Sequence, residues 1–273
     1  MRNSVFLPIV FAATLVALLF SSCTITYKDS TECTASITRV NLQCQPFNSI
    51  TSYIASDMVY VESDTFYVET EGSKERIKNI KLDTTDSMLV IRSKVDDGRL
   101  NGDSFDVSDD GNTITIDFGD KSNSRLNIIV HAPKLNDVVI NGACSFVSKM
   151  IDTDNFAFVS HGSSSVEIDS LNACTVAVQQ QGAGDVKMNV KAKKVSVEVA
   201  GSGDGTMTLT DVDDISYSIA GSGDADLNLK DCKKIQVAIA GSGDVALRGN
   251  VEDFKQYVAG SGDIDINGLK IGK

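Results

Sequence analysis

The sequence predicts an all-β fold: a single-stranded, right-handed parallel β-helix with coils of about 20 residues and an irregular β N-terminal half. A glycine-centred motif returns seven times, its leading glycines being Gly142, Gly162, Gly182, Gly201, Gly221, Gly241 and Gly260. The steps between them are 20, 20, 19, 20, 20 and 19 residues. So steady a period means one supersecondary unit stacked on itself. On either side of each motif apolar and polar residues alternate, as in a half-buried strand. Helical periodicity is absent and the chain has only three prolines.

Within one coil, Ile235, Val237 and Ile239 face inward, followed by Gly241, Gly243, Val245 and Leu247, leaving Ser242, Asp244 and Ala246 outside. The preceding coil repeats this with Ile215, Tyr217 and Ile219, then Ala225, Leu227 and Leu229. The last does so with Phe254 and Val258, then Ile264 and Ile266. The seven glycines are structural turn positions, where opposite walls or a bend approach so closely that a Cβ would clash. Each coil adds about 4.8 Å along the axis, so seven give a stem of roughly 35 Å. Parallel crossovers are right-handed by default. The 19-residue steps are expected to lose their residue at polar corners, the first of them at Lys191–Lys194.

The first half lacks a clean period but contains strand patterns at Met58–Val61, Phe66–Thr70, Ser87–Arg92, Thr113–Phe118 and Leu126–Val130. Ser73–Ile80 fits a short helix or turn, and Asp96–Asp110 an acidic loop. The division expected is a signal peptide over 1–22, a tether over 23–36, irregular leading coils over 37–135 and the repetitive solenoid over 136–273. Residues 37–273 would form one domain, because terminal units of repeat proteins are atypical.

Arg2, the apolar run Val5–Phe20 and the small residues Ser21 and Ser22 lead into Cys23. The run is shorter than a comfortable bilayer span, which favours a signal peptide. Its arrangement resembles a bacterial lipoprotein cleavage site, with Cys23 as the lipidated residue and hence a membrane partner through the anchor. Ordinary secretion with a free Cys23 is the alternative. Thr24 in place of Asp after the cysteine directs the expectation to the outer membrane, surface-exposed or periplasm-facing.

Loss of Arg2 shifts the formal net charge from −12 to −13. That balance disfavours nucleic acid and anionic membrane surfaces, which need clustered Lys and Arg. Cys33, Cys44, Cys144, Cys174 and Cys232 contain no CxxC, so no zinc site is signalled. Cys33 with Cys44 is the one plausible pair; the other three fit buried or semi-buried thiols.

Gln45–Ile50, Met88–Ile91, Ala132–Leu135 leading to Val138–Gly142, and the Gly-Ser-Gly-Asp series together resemble the GIN domain, the head domain of a family labelled auto-transporter adhesins. The resemblance covers about Gln45 to Gly268. It implies a β-helical domain of secreted or envelope proteins in Bacteroidota-type bacteria, and it brings no catalytic residues. The first two motif copies depart from the pattern in lacking the Asp, and no separate translocator barrel is expected beside the repeats.

The outward column Asp185, Asp204, Asp224, Asp244 and Asp263 stacks like charges about one strand spacing apart. Two readings fit it. Calcium would relieve the repulsion by taking carboxylate oxygens, or each carboxylate accepts hydrogen bonds from the N–H groups of its own turn. Beside it, Ser202, Ser222, Ser242 and Ser261 with Ala200, Ala220, Ala240 and Ala259 make a flat small-residue face, read either as a docking surface or as a tight corner.

Enzyme signals are poor. His131 and His161 are the only histidines, His131 falls outside the apolar positions of its strand, and no GxSxG, HExxH or P-loop occurs. No catalytic residue and no metal site is expected. The leading expectation is a non-catalytic envelope lipoprotein that binds a glycan or a host or envelope protein through its surface. A periplasm-facing structural or stress-associated lipoprotein is the alternative, and a polysaccharide-active enzyme the third. The final coil, ending at Lys273, has little to cap it, so self-association through that edge is also expected.

Overall fold

The computed structural model describes residues 25–27, 37–94 and 126–272. Cys23, Cys33, the Thr113–Phe118 pattern and the Asp96–Asp110 segment lie outside them. The N-terminal part holds β1 (Ile25–Tyr27), β2 (Ile37–Gln43), β3 (Ser49–Ser52), β4 (Ser56–Glu62) and β5 (Tyr67–Ser73). The one-turn helix α1 (Lys74–Lys78), β6 (Ile80–Thr85), β7 (Met88–Ser93) and β8 (Asn127–Ala132) complete it. The stem follows with β9 (Asp137–Gly142), β10 (Cys144–Ser148), β11 (Ile151–Asp152), β12 (Asn155–Gly162), β13 (Ser165–Asn172) and β14 (Thr175–Gly182). It continues with β15 (Val186–Lys191), β16 (Lys194–Gly201), β17 (Gly205–Thr210), β18 (Asp214–Gly221), β19 (Ala225–Gly241), β20 (Val245–Gly260) and β21 (Ile264–Ile271).

These strands form a parallel β-solenoid of about seven turns with coils of about 20 residues. Each coil contributes one strand to each of two walls. The first wall stacks β9, β12, β14, β16, β18 and the C-terminal halves of β19 and β20, in parallel register. The second stacks β10, β13, β15, β17, the N-terminal halves of β19 and β20, and β21. Alternation decides which side chains meet between the walls: Val195, Val197, Ile215, Tyr217, Ile235 and Val237 from the first, Met207, Leu209, Leu227 and Leu229 from the second, all essentially buried.

The N-terminal half is less sequential than its pattern suggests. β3 lies between β7 and β9, and β4 between β8 and β10, all parallel. The coil built from β3 and β4 is thus sandwiched between the coil of β7 and β8 and the first repeat, although it precedes both in the chain. Beyond it, β6 pairs antiparallel with β7, β5 with β8, β2 with β5 and β1 with β2. This antiparallel layer closes the N-terminal end of the stem.

Two local expectations need correction. The residue lost in the first 19-residue step falls in the wall, where Ile168 pairs Met188 but Leu171 pairs Val190, and not at Lys191–Lys194. The second loss does fall at a corner, between the Leu229–Gly249 and Cys232–Val251 pairs. Asp211 and Asp231 turn these polar corners with φ of 55°, a left-handed conformation that Asp tolerates. Inter-coil ion pairs run along them, such as Lys191–Asp211 at 2.8 Å and Lys233–Asp213 at 2.6 Å. Exposed as they are, they fix register more than they add stability.

Candidate functional site

The leading glycines from Gly142 to Gly260 all have positive φ, between 124° and 148°. The close approach that selects them is not between walls. A Cβ built on Gly201, Gly221, Gly241 or Gly260 would lie about 2 Å from the carbonyl oxygen of the leading glycine one coil earlier. The glycines therefore stack backbone on backbone along the axis, tied by hydrogen bonds such as Ser222 N–H to Gly201 O at 2.9 Å and Ser242 N–H to Gly221 O at 2.9 Å. The second glycines, Gly203, Gly223 and Gly243, form a parallel column with the same contacts.

This stacking fixes the aspartates. Asp204 N–H donates to Asp185 Oδ1 (3.1 Å), Asp224 N–H to Asp204 (2.9 Å), Asp244 N–H to Asp224 (2.8 Å) and Asp263 N–H to Asp244 (2.8 Å). The carboxylates of Asp185, Asp204, Asp224 and Asp244 thus cap the following coil and not their own turn, because the amides of these turns point along the axis to neighbouring coils. Ser165, which the motif pattern did not single out, starts the column by accepting from Asp185 N–H at 3.2 Å. The two motif copies lacking Asp also lack the second glycine. In the later of them the buried Ser164 hydroxyl donates to Gly142 O (2.8 Å) and accepts from Cys144 N–H (3.3 Å).

The ladder makes a testable stability statement. Asp224→Ala strands the Asp244 amide without its acceptor and should cost about 1 kcal/mol. Asp224→Asn keeps an oxygen at Oδ1 and relieves like-charge crowding, so it should stay within about 0.5 kcal/mol of wild type. Urea denaturation of both variants decides this; an Asn cost equal to the Ala cost would refute the capping role.

The free carboxylate oxygens face outward. Asp204, Asp224, Asp244 and Asp263 line a groove of about 430 Å³ with a second outward row, Thr206, Asp226, Ala246 and Asp265, two residues further on. Asp226 is held by Arg248 at 3.0 Å. Ser202, Ser222, Ser242 and Ser261 are exposed beside Ala200, Ala220, Ala240 and Ala259, forming the adjacent small-residue rows in strict register. Among the described residues no three His, Cys, Asp or Glu side chains converge where a metal ion could be held.

Elsewhere the titratable groups are dispersed. His131 is covered, not outward: its ring stacks on Tyr67 at 3.9 Å, because β5 lies against β8 in a register that pairs the two residues. Burial pushes its imidazole below the ordinary value, while Glu69, 3.5 Å away, pulls the other way. His161 is exposed and bonds Gln181 at 3.0 Å. A second cavity of about 400 Å³ adjoins Ser56, Asp57, Arg76 and Cys144. Burial pushes the Cys144 thiol up to about 11, which leaves it without thiolate character at neutral pH. Cys232 is buried, whereas Cys174 is exposed at a corner, contrary to the expectation of a covered thiol. No helix among the described residues is long and apolar enough to cross a membrane.

Comparison with solved structures bears on the fold. A "putative adhesin" from Bacteroides fragilis superposes with a TM-score of 0.69 at 21% identity, covering 85% of this chain and 97% of the other. A "putative adhesin" from Parabacteroides distasonis gives 0.63 at 16% identity, with 85% and 97% coverage. A "putative lipid binding protein" from the same species gives 0.58 at 18% identity, with 84% and 96% coverage. No curated protein sequence matches the chain. The family described as "Putative auto-transporter adhesin, head GIN domain" matches residues 46–231 and 211–273. With nearly all of the glycine ladder and its leading coils inside those two matches, the chain belongs to the head GIN domain family.

Proposed function

We propose that this protein is a non-catalytic lipoprotein of the cell envelope, anchored through Cys23, that works as an adhesion module. Its binding surface is the acidic groove and the serine and alanine rows beside it. The observation carrying this reading is the in-register ladder from Asp185 to Asp263, which presents the same side chain once per coil on one exposed face. A face of that kind offers equivalent contacts at strand spacing to an extended, repeating partner. Six carboxylates on the groove and no basic residue among its lining select a partner with positive charge: an amino-sugar glycan or a basic segment of a host or envelope protein. The family's adhesin designation agrees in kind. Among the described residues the histidines are dispersed and the Cys144 thiol is buried.

The test is a glycan and matrix-protein array probed with the mature protein and with an Asp224→Asn/Asp244→Asn/Asp263→Asn variant, each with calcium and with chelator. Wild type should bind cationic ligands in a salt-sensitive way, and the variant, whose hydrogen-bond ladder is kept, should lose at least about tenfold in affinity. Equal binding by the two proteins would remove the groove from the account. Binding restored only by calcium would replace the direct contact with an ion bridge.

A further inference from the structure

The corner that carries the acidic groove changes character toward the N-terminal end of the stem. In the later coils it is closed by glycine stacked on glycine, as at Gly201, where a built Cβ would meet Gly182 O at 2.0 Å. The first two motif copies have Cys144 and Ser164 where the others have their second glycine. At Gly142, the head of the glycine column, a built Cβ meets nothing within 4 Å. The corner stands open there, and beside it lies the cavity of about 400 Å³. Ser56, Asp57, Arg76, Ser145, Ser163 and Ser165 supply its polar lining.

Strand register fixes these groups. Asp57 on β4 faces Ser145 on β10, and Ser145 faces Ser165 on β13. Ser165 in turn accepts from Asp185 N–H at 3.2 Å. The file that carries the acidic ladder therefore runs on into the cavity as Asp185, Ser165, Ser145 and Asp57. Behind it the wall is closely packed: Ser56 is 7% exposed, and its Oγ lies 3.6 Å from the buried Cys144 Sγ.

The chemistry of the lining differs from that of the groove. Asp57 and Arg76 are its charged members and balance each other, so the site selects for no net charge. Four serine hydroxyls remain, each able to donate and to accept. The Ser165 hydroxyl, already an acceptor, keeps its proton to donate to a ligand. Among the described lining residues none is aromatic, and Leu126 is the one large apolar side chain. Hydroxyls grouped around a carboxylate match a ligand that is itself a ring of hydroxyls, and the volume lies in the range of small-molecule sites.

We propose that this cavity binds one neutral saccharide unit, the end of a glycan chain. The site rests on the adhesion reading but not on the charge of the groove. Three strand spacings, about 14 Å, separate Ser145 from Asp204 in the same file. A glycan seated by its end in the cavity is thus in line with the groove.

NMR titration of the mature chain with glucose, galactose and N-acetylglucosamine, with inorganic phosphate as competitor, tests this. At least one of the sugars should bind with about millimolar affinity, and phosphate should not displace it. Ser163→Leu fills the exposed side of the cavity while keeping the backbone bond from Ser163 N–H to Gly142 O, and should weaken binding at least about tenfold. Ser145→Ala, which removes one hydroxyl, should weaken it about threefold or more. The Asp224→Asn/Asp244→Asn/Asp263→Asn variant should bind the sugar as wild type does, so failure of the groove and failure of the cavity are told apart. Unchanged thermal unfolding verifies that each variant is folded. No binding of any of the three sugars, equal binding by Ser163→Leu, displacement by phosphate, or loss of binding in the groove variant would each overturn the proposal.

Discussion

Gly221→Ala is expected to destabilise the protein by about 3–5 kcal/mol, more than any exposed substitution on the same corner. Two costs add. A residue with a Cβ held at a φ of 144° is in backbone territory reserved for glycine, which costs about 1–3 kcal/mol. The added methyl would also stand 2.0 Å from Gly201 O, so the coils must separate, and the Ser222 N–H to Gly201 O bond of 2.9 Å goes with them. Gly142→Ala separates the two terms: Gly142 has a φ of 124° but nothing within 4 Å of its built Cβ, so only the conformational cost applies. Ser222→Ala, exposed between the two glycines, should fall within about 0.5 kcal/mol of wild type. Urea denaturation of the three variants should give the order Gly221, Gly142, Ser222. Because each coil contacts only its neighbours, hydrogen exchange should show the protection lost chiefly around the altered coil. Equal costs at Gly221 and Gly142 would refute the stacking explanation.

The second large effect concerns Gly205, where a Cβ would meet the Tyr217 hydroxyl at 2.0 Å. Tyr217 reaches across from the opposite wall and is 1% exposed, so its ring has no room to withdraw. Gly205→Ala should therefore cost about 1–3 kcal/mol through overpacking. The same hydroxyl is buried without a hydrogen-bond partner among the described residues, and burial with the nearby Asp204 charge raises its pKa. Tyr217→Phe should then be neutral or stabilising. Combining the two removes the clash, and the double variant should recover about 1–2 kcal/mol relative to the sum of the singles. Strict additivity in a denaturant-based double-mutant cycle would show that the two groups do not compete for the same space.

Much of this was legible in the residues because a repeat writes its geometry many times. The spacing of Gly142 to Gly260 announced the coil length, and the alternation around Ile215, Tyr217 and Ile219 announced the walls. Contacts made between coils were harder to read. Asp224 accepts from the coil that follows, not from its own turn, and Gly221 is crowded by Gly201, not by the far wall. Both facts depend on how coils superpose, which a motif considered within one coil does not contain. The placement of β3 and β4 between later strands is a long-range pairing with no local signal. His131 appeared outward by alternation, yet β5, crossing antiparallel, covers it with Tyr67. Val258 and Ile266 carry the inward pattern, but no further coil among the described residues lies over them. The serine at 165 was hidden because it performs the role of Asp with a different side chain.

The proposed role stands or falls first on where the protein resides. Intact source cells treated with protease, with this protein and a periplasmic control detected afterwards, give the most direct test. An adhesion module should be lost while the control survives. Survival of both until the outer membrane is breached would contradict adhesion and leave a periplasm-facing structural lipoprotein in its place.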